Sequence, residues 1–315
     1  MRGNVLDVRK LALLREVALH SGISGAARAL GMSVSSVSQH ISRLQQETGV
    51  ALLEAVGRGV RLTPEAERLV AHTERVLATL EEAESELEAN RGGVGGVVRL
   101  VAFHAFALRM LAPTIEQLDR IAPGLSLEFV QLDPEDAIGE LSARRVDLVV
   151  ADEYPGLALP PSRGLIRTEL GREPIDLYLP TGGASVAFDP HSSPVDFAEL
   201  PWVTEPRQSD AFRWARGICR ALGFEPRVAF ESPNLDVHRQ LVAAGRAAAF
   251  LPRSAAAGLG GRVSGLPVAL GRTLLMLTRR GTERSPALLA CRAAVESAFR
   301  DAGGFEEGAG PGASS

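Results

Sequence analysis

Residues 22–46 read GISGAARALGMSVSSVSQHISRLQQ, and this stretch decides the fold of the N-terminal part of the chain. Ser24 is expected to cap a short Ala-rich helix, because a serine oxygen can accept a hydrogen bond from the first helical N–H groups. Gly31 stands where a left-handed residue closes such a helix, and Ser33 then caps a longer one. Two helices joined by a tight glycine turn predict a helix-turn-helix.

The longer helix has one apolar face and one polar face. Val37, Ile41 and Leu44 follow one another at i, i+4 and i+7, which is the spacing of a buried stripe. The other face carries hydroxyl, amide, imidazole and guanidinium groups, which can reach DNA phosphates and base edges: Ser35, Ser36, Gln39, His40 and Arg43. We interpret residues 34–46 as a DNA recognition helix. The alternative is a helical hairpin whose polar residues are merely solvated.

Charge and the next segment favour the DNA-binding interpretation. The whole chain has a net charge of −4, but residues 1–62 carry eight basic side chains against four acidic ones. A basic segment is the electrostatic footprint of a polyanion-binding surface. Arg58 and Arg61 lie in a short Gly-rich hairpin, a wing, and are expected to contact phosphate.

Residues 63–90 predict one long helix. Thr63 and Pro64 supply an N-cap and a first helical residue. Apolar or small residues then repeat with heptad spacing and predict a dimerisation seam: Leu69, Thr73, Val76, Leu80, Ala83 and Leu87. The alternative is that this helix packs on the body of its own chain.

Residues 97–301 alternate strand-like runs with amphipathic helices, including strands over 97–103, 175–179 and 273–278. This alternation predicts an α/β domain with parallel sheets. Proline-rich joints divide it into two lobes with a ligand cleft between them. The predicted organisation is a winged helix-turn-helix over 1–62, a linker and dimerisation helix over 63–90, a hinge over 91–96, an effector-binding domain over 97–301 and a disordered tail over 302–315.

The cleft is expected to bind an anionic effector. The strand over 97–103 runs directly into a helix, so the first helical N–H groups have no partner within the helix. The helix dipole adds partial positive charge there, which favours a carboxylate. For His104, a strand-end histidine with one ordinary hydrogen bond is an equal alternative. The predicted effector-binding residues are Phe103, His104, Ala105, Phe106, Thr204, Glu205, Ser232 and Asn234.

The run from Ser24 to Pro64 resembles the winged helix-turn-helix of LysR-type transcriptional regulators, with a long helix, a glycine hinge and an α/β domain in the family's order. The resemblance implies an all-α winged helix-turn-helix with a linker helix, followed by a two-lobed domain similar to periplasmic binding proteins. It also implies a homodimer, with a dimer of dimers left open, that binds operator DNA and an effector between the lobes. The family usually has Ser-Gln-Pro where this chain has Ser33-Val34-Ser35. Val34 therefore offers an apolar contact, such as one to a thymine methyl group, in place of an amide.

Several other classes of function fit the sequence poorly. Lys10 is the only lysine against 33 arginines, which opposes P-loop, pyridoxal-phosphate and protein-kinase chemistry. Cys219 and Cys291 have no metal-ligand or redox spacing, and no membrane span is apparent. We expect a cytoplasmic protein without cofactor or metal. Two alternatives stay open: a DNA-binding protein whose effector domain binds no ligand, and, less favoured, an enzyme with an appended helix-turn-helix.

Overall fold

The computed structural model describes residues 6–57, 59–90, 93–159, 164–180, 186–187, 195–266 and 270–302. Arg58 of the predicted wing, the first two residues of the predicted hinge and residues 303–315 of the predicted tail lie outside these ranges. No helix within the described ranges combines the length and the apolar character that a membrane crossing requires.

The N-terminal unit is a winged helix-turn-helix, as predicted. Its elements are α1 (Val8–Leu19), α2 (Ile23–Ala29), α3 (Val34–Thr48), β1 (Leu53–Val56) and β2 (Gly59–Leu62), and β1 and β2 pair antiparallel. The N-cap of α2 is Gly22 and not Ser24. The helix therefore begins two residues earlier than a cap at Ser24 implied, and Gly22 has a φ of +134°, which a serine would adopt only with strain.

Small residues and one amide fix the geometry of this unit. A Cβ on Gly25 would lie 2.2 Å from the carbonyl oxygen of His20, so α1 and α2 meet at a distance that only glycine permits. Gly31 adopts a φ of +62° after α2, as the turn requires. The Oε1 atom of Gln45 accepts hydrogen bonds from the N–H groups of Leu52 and Leu53 at 2.8 and 3.1 Å. The end of α3 is therefore tied to the start of the wing.

The long helix α4 (Pro64–Ala89) begins at Thr63, whose hydroxyl accepts a hydrogen bond from the Ala66 N–H at 3.2 Å. Its buried stripe differs from the predicted seam and consists of Ala66, Thr73, Leu77, Glu81 and Ser85. The prediction for Thr73 is therefore wrong: its side chain is 1% exposed within its own chain and cannot face a partner. Val76, Leu80 and Leu87 are 39%, 45% and 62% exposed, and Ala83 is exposed beside them.

The later part of this buried stripe packs on the α/β domain of the same chain, as the alternative interpretation proposed, whereas Ala66 packs in the core of the helix-turn-helix. Glu81 forms ion pairs with Arg279 at 2.6 Å and with Arg144 at 3.0 Å. The Ser85 hydroxyl donates a hydrogen bond to the Gly281 carbonyl at 3.3 Å. A Cβ on Gly281 would lie 2.1 Å from the Ala78 carbonyl oxygen, so the two backbones touch directly. One face of α4 is thus used within the chain, while the other remains exposed.

The α/β domain is built on one six-stranded sheet with the order β10-β6-β12-β5-β3-β4. The strand β3 is parallel to β4 and β5, whereas β12 is antiparallel to β5 and β6, so the sheet is mixed and not parallel as expected. The elements are β3 (Gly96–Ala102), α5 (His104–Ile121), β4 (Leu125–Gln131), α6 (Pro134–Ser142), β5 (Leu148–Glu153), β6 (Leu165–Tyr178), β7 (Val186–Ala187), α7 (Val195–Glu199), β8 (Pro201–Thr204), α8 (Asp210–Ala221), β9 (Arg227–Glu231), α9 (Leu235–Ala243), β10 (Ala249–Pro252), β11 (Val263–Ser264), β12 (Gly271–Arg279) and α10 (Pro286–Asp301).

Hydrophobic clusters fill both lobes, and one of them joins the lobes, because it includes Val203 and Leu251 as well as residues of β3. In the first lobe, apolar residues of β3 and β5 pack with α5 and α10. In the second, Trp202 is 1% exposed and its ring lies 5.7 Å from Phe224 and 5.6 Å from Phe250. The parallel pair β8–β9 belongs to this second lobe. The ends of β3 and β8 meet the cleft between the lobes, which places their last residues at the candidate site.

Candidate functional site

The exposed face of α3 is the first candidate site. Val37, Ile41 and Leu44 are between 0 and 2% exposed, so the amphipathic pattern fixes the rotation of the helix. Gln39 and Arg43 consequently point away from the core and are exposed. No ion pair joins Arg43 to another residue of the described ranges, so its guanidinium is available to a partner.

The remaining predicted DNA-binding residues differ in availability. Ser33 serves as the N-cap of α3: its Oγ accepts from the Ser36 N–H at 3.1 Å and lies 3.0 Å from the Ser35 Oγ. Val34 is 51% exposed, and Ser36 and His40 are half-buried. Arg61 lies on β2 and pairs with Glu54 at 2.6 Å, so its charge is partly neutralised within the wing.

The second candidate site is a cavity of about 320 Å³ between the two lobes. The junction of β3 and α5 contributes Phe103, His104 and Ala105, and the segment after β8 contributes Glu205. No side chain caps α5, so no side chain of the cap residue accepts a hydrogen bond from the first N–H groups of this helix, which begins at the cavity. The Nδ1 atom of His104 lies 3.4 Å from the Oε1 atom of Gln131, which also lines the cavity.

Four predicted effector-binding residues do not line this cavity: Phe106, Thr204, Ser232 and Asn234. Phe106 is 2% exposed and belongs to the core of the first lobe, because the turn of α5 directs its side chain inward. The Asn234 Oδ1 caps α9 by accepting from the Asp236 N–H at 2.8 Å. The Ser232 Oγ accepts from the Asn234 N–H at 3.1 Å. The last two side chains therefore stabilise the start of a helix, and their prediction as ligand contacts is corrected.

A buried arginine organises the floor of the cleft. Arg272 is 5% exposed and forms ion pairs with Asp152 at 2.8 Å and Glu173 at 2.6 Å. Its guanidinium carbon also lies 4.9 Å from the centre of the Phe103 ring, a cation–π contact. Arg272 and Asp152 were not among the predicted effector-binding residues. Each could have been found as a charged residue near one end of an apolar strand, Arg272 near the start of β12 and Asp152 near the end of β5. A charge in a buried strand needs a partner of opposite charge.

Carboxylates outnumber guanidinium groups around this cavity. Its lining contains one arginine, Arg272, and six carboxylates: Asp133, Glu135, Asp136, Asp152, Glu205 and Asp210. Burial, with the nearby Asp152 and Asp133, raises the pKa of Glu205 to about 7. Burial also raises the pKa of Asp152, although Arg272 opposes that change. These surroundings disfavour the anionic group that the N-terminus of α5 alone predicted, because negative charges facing each other in a cleft repel a further one.

A smaller chamber of about 30 Å³ lies behind Glu205, which borders both cavities. Thr204 and Trp214 line the chamber and are 7% and 5% exposed. Within the described part of the chain, the Thr204 Oγ1 and Trp214 Nε1 atoms have no hydrogen-bond partner. The predicted residue Thr204 thus lies deeper than expected, behind the cleft. His238 also lines the chamber, and burial lowers its pKa while its Nε2 lies 2.7 Å from the Ser232 carbonyl oxygen.

Comparison with known proteins gives matches to both parts of the chain. The model described as "Bacterial regulatory helix-turn-helix protein, lysR family" matches residues 8–67, and the "LysR substrate binding domain" matches residues 91–300. The probable HTH-type transcriptional regulator LrrA of Synechococcus elongatus is 28% identical over 276 residues, which cover 85% of this chain and 89% of LrrA.

Solved structures show the same fold over nearly the full length. A full-length OxyR variant from Pseudomonas aeruginosa has a TM-score of 0.62 at 18% identity, covering 96% of this chain and 99% of that chain. Full-length CbnR complexed with its target DNA has a TM-score of 0.50 at 19% identity, covering 93% of this chain and 100% of that chain.

Proposed function

From the premise that this chain belongs to the LysR family of bacterial transcriptional regulators, we propose that it binds operator DNA through α3 and changes that binding when a small molecule occupies the cleft between its lobes. The observation that carries the DNA-binding step is the exposed polar face of α3 beside the wing. The relative LrrA is named as a transcriptional regulator, and CbnR was solved with its target DNA. Both support the proposal.

In the proposed complex, α3 enters the major groove and its polar face meets the DNA. Arg43 has the exposure and the free charge to contact phosphate, while Gln39 can reach a base edge. Ser33 and Ser35 are positioned at the start of α3, where helical N–H groups also meet phosphate. Arg61 must first exchange Glu54 for a phosphate, so its contribution is smaller than that of Arg43.

The test is binding of the full-length protein to its own upstream DNA at several salt concentrations. Arg43→Ala should weaken binding about tenfold at low salt and reduce the slope of log K against log salt by about 1, since one phosphate contact is lost. The control Arg120→Ala changes an exposed arginine on α5, far from α3, and should leave both quantities unchanged. Equal behaviour of the two variants would contradict α3 as the DNA-contacting element.

We also propose that two chains pair through the exposed row of α4, which contains Val76, Leu80, Ala83 and Leu87 and continues from the half-buried Leu69. An exposed apolar row on a long helix is stabilised by a second copy of that row. Leu80→Glu should give a monomer by light scattering, with weaker DNA binding because two half-sites are no longer held together. Thr79→Glu adds the same charge on a neighbouring, exposed face and should leave the dimer intact. A dimeric Leu80→Glu variant would place the interface elsewhere.

The proposal includes two further statements about the cleft and the setting. The ligand should dissociate from the protein without having been chemically changed, since regulation requires binding and not turnover. Loss of more than one equivalent of ligand per chain would instead favour the enzyme alternative. The protein is proposed to act in the cytoplasm, where bacterial operator DNA is located.

A further inference from the structure

We infer that the cleft ligand carries a protonated amine, bound by Glu205, Asp133 and Asp152. This inference rests on the proposed function, since it names the chemical class of ligand for the same cleft. The first observation is the lining, in which six carboxylates face one arginine. Some of these carboxylates already have a structural role, and the others are available to a ligand.

Three of the six carboxylates are explained by local structure. Glu135 and Asp136 lie in the first turn of α6, and Asp210 lies in the first turn of α8. Acidic side chains in a first turn interact favourably with the helix dipole, and these three are explained in that way. Glu135 and Asp210 also lie near the guanidinium of Arg213. They carry no argument about a ligand.

The other three are not balanced in the same way. Asp133 occupies the N-cap position of α6, but its side chain accepts no hydrogen bond from the helix. Asp152 shares Arg272 with Glu173, so one guanidinium serves two carboxylates. Glu205 is half-buried, and no hydrogen bond or ion pair joins its carboxylate to another residue of the described ranges. A cation placed among these three groups would offset their mutual repulsion.

The inner chamber is the second, independent observation. Among the residues that the structure describes, Trp214 Nε1 and Thr204 Oγ1 have no hydrogen-bond partner, and both residues are almost fully buried and line the chamber behind Glu205. Buried polar groups are costly without a partner. The chamber volume of about 30 Å³ suits one water molecule or one small substituent of the ligand. A hydrogen-bond acceptor of the ligand or of a bound water in the chamber would give the Trp214 N–H a partner.

Aromatic rings make the same region suitable for a cation. Tyr154 borders both the cleft and the chamber, and Trp214 and Phe250 line the chamber. The ring centres of Tyr154 and Trp214 are 5.3 Å apart, and those of Trp214 and Phe250 are 5.5 Å apart. The faces of such rings attract cations and pack against the methylene groups of an organic amine. The cleft supplies negative charge, and the chamber behind it supplies aromatic surface and unpartnered hydrogen-bonding atoms.

The experiment compares matched amines and carboxylates on the full-length protein by thermal shift and calorimetry at pH 8. The pairs are ethanolamine with glycolate, phenethylamine with hydrocinnamate, and putrescine with adipate. Amines should raise the melting temperature and carboxylates should not. Trp214 fluorescence should change with the amines, because its indole borders the chamber.

Charge-removing variants then locate the amine. Glu205→Gln should lower the affinity for the best amine at least tenfold, and Asp133→Asn should lower it at least threefold. Glu116→Gln removes an exposed carboxylate of α5 outside the cleft and should change the affinity less than twofold. If Glu205→Gln does not fold, Asp133→Asn alone decides the assignment.

Three outcomes would overturn the inference: stabilisation by carboxylates and not by amines, stabilisation by Mg²⁺ or Ca²⁺ in place of amines, or no stabilisation by any member of the panel. Operator binding measured on the same samples separates this failure from failure of the proposed function. Retained DNA binding with the wrong ligand charge overturns only the inference. Amine binding without DNA binding overturns only the proposed function.

Discussion

Two clusters of charged residues in this protein, each with buried members, use the same residue types to opposite effect. At the face where α4 meets the α/β domain, Glu81 and Asp147 are matched by Arg144 and Arg279, and Arg279 contacts both carboxylates at 2.6 and 3.1 Å. We refer to these four residues as the α4 cluster. In the cleft, Arg272 is the one guanidinium among several carboxylates, and we refer to Asp133, Asp152, Glu205 and Arg272 as the cleft cluster.

The difference shows how the balance of charge distinguishes a contact that holds two parts of the chain together from a site that can bind a ligand. The charges of the α4 cluster balance two against two, so removing Arg279 leaves Glu81 and Asp147 with less compensation for their charge. The cleft cluster has three carboxylates for one guanidinium. Asp152 is paired with Arg272, so repulsion is relieved by removing Glu205 and not by removing Asp152. Stability measurements on single variants should therefore change in opposite directions at the two places.

The largest effect is expected in the α4 cluster. Arg279→Met should lower the free energy of unfolding by about 3 kcal/mol, since breaking a buried ion pair leaves uncompensated charge. Urea denaturation measures this change. Arg99→Met is the matched control, because Arg99 forms an exposed pair with Glu128 on the same sheet and should cost less than about 1 kcal/mol. Equal losses for the two variants would contradict the importance of burial at α4.

A smaller effect of the opposite sign is expected for Glu205→Gln without ligand. The pKa of Glu205 is raised to about 7 by burial and by Asp152 and Asp133, with Arg272 opposing. The folded state therefore holds a proton that the unfolded state has lost between about pH 4.5 and pH 7, and this contribution to stability disappears as pH rises through about 7.

The glutamine variant lacks this loss, so it should be more stable than the wild type by about 1 kcal/mol at pH 8 and closer to it at pH 5. Thermal melts across this pH range give the difference. Asp133, Asp152, Tyr154, Arg272 and His238 are common to both proteins and cancel in the comparison. A variant that is less stable at pH 8 would show that Glu205 is compensated within the chain.

The smallest effect is expected at the rim of the cleft. The Glu135 side chain is 70% exposed and lies 3.7 Å from Arg213. Glu135→Gln should change the free energy of unfolding by less than about 0.5 kcal/mol, because solvent screens such a pair. A larger change would show that the excess charge of the cleft extends to its rim.

The fold was predictable where local signals decided it. The helix-turn-helix, its recognition helix and the cap of α4 at Thr63 all follow from caps, glycine turns and apolar periodicity within a few residues. The strand β6 was predicted only over 175–179, whereas it begins at Leu165. Charged residues alternate through its first half and Pro174 interrupts it, so the local sequence does not show a strand that neighbouring strands stabilise. The mixed sheet likewise depends on long-range pairing of β12.

The candidate sites were predictable to different degrees for the same reason. The junction at Phe103 and His104 was found because a strand followed at once by a helix is a local pattern. The pairing of Arg272 with Asp152 joins residues 120 positions apart and could not be read from spacing. Thr73 was assigned to the row that meets a partner chain, although it belongs to the stripe buried within the chain, because heptad spacing does not show which neighbour covers a given helix face.

The direct backbone contact between Gly281 and Ala78 has a mechanical consequence. With no side chain between them, the two backbones are in direct contact, so a tilt of α4 relative to the α/β domain would pivot near this point, beside the contacts of Glu81 and Ser85. The start of the helix at Pro64 lies about 21 Å away at ~1.5 Å per residue. A tilt of about 10° would carry that end, and the wing attached to it, through about 4 Å, close to the ~3.4 Å rise of one base pair along DNA. A tilt of this size between α4 and the α/β domain would thus shift the DNA-binding unit by about one base pair along the DNA.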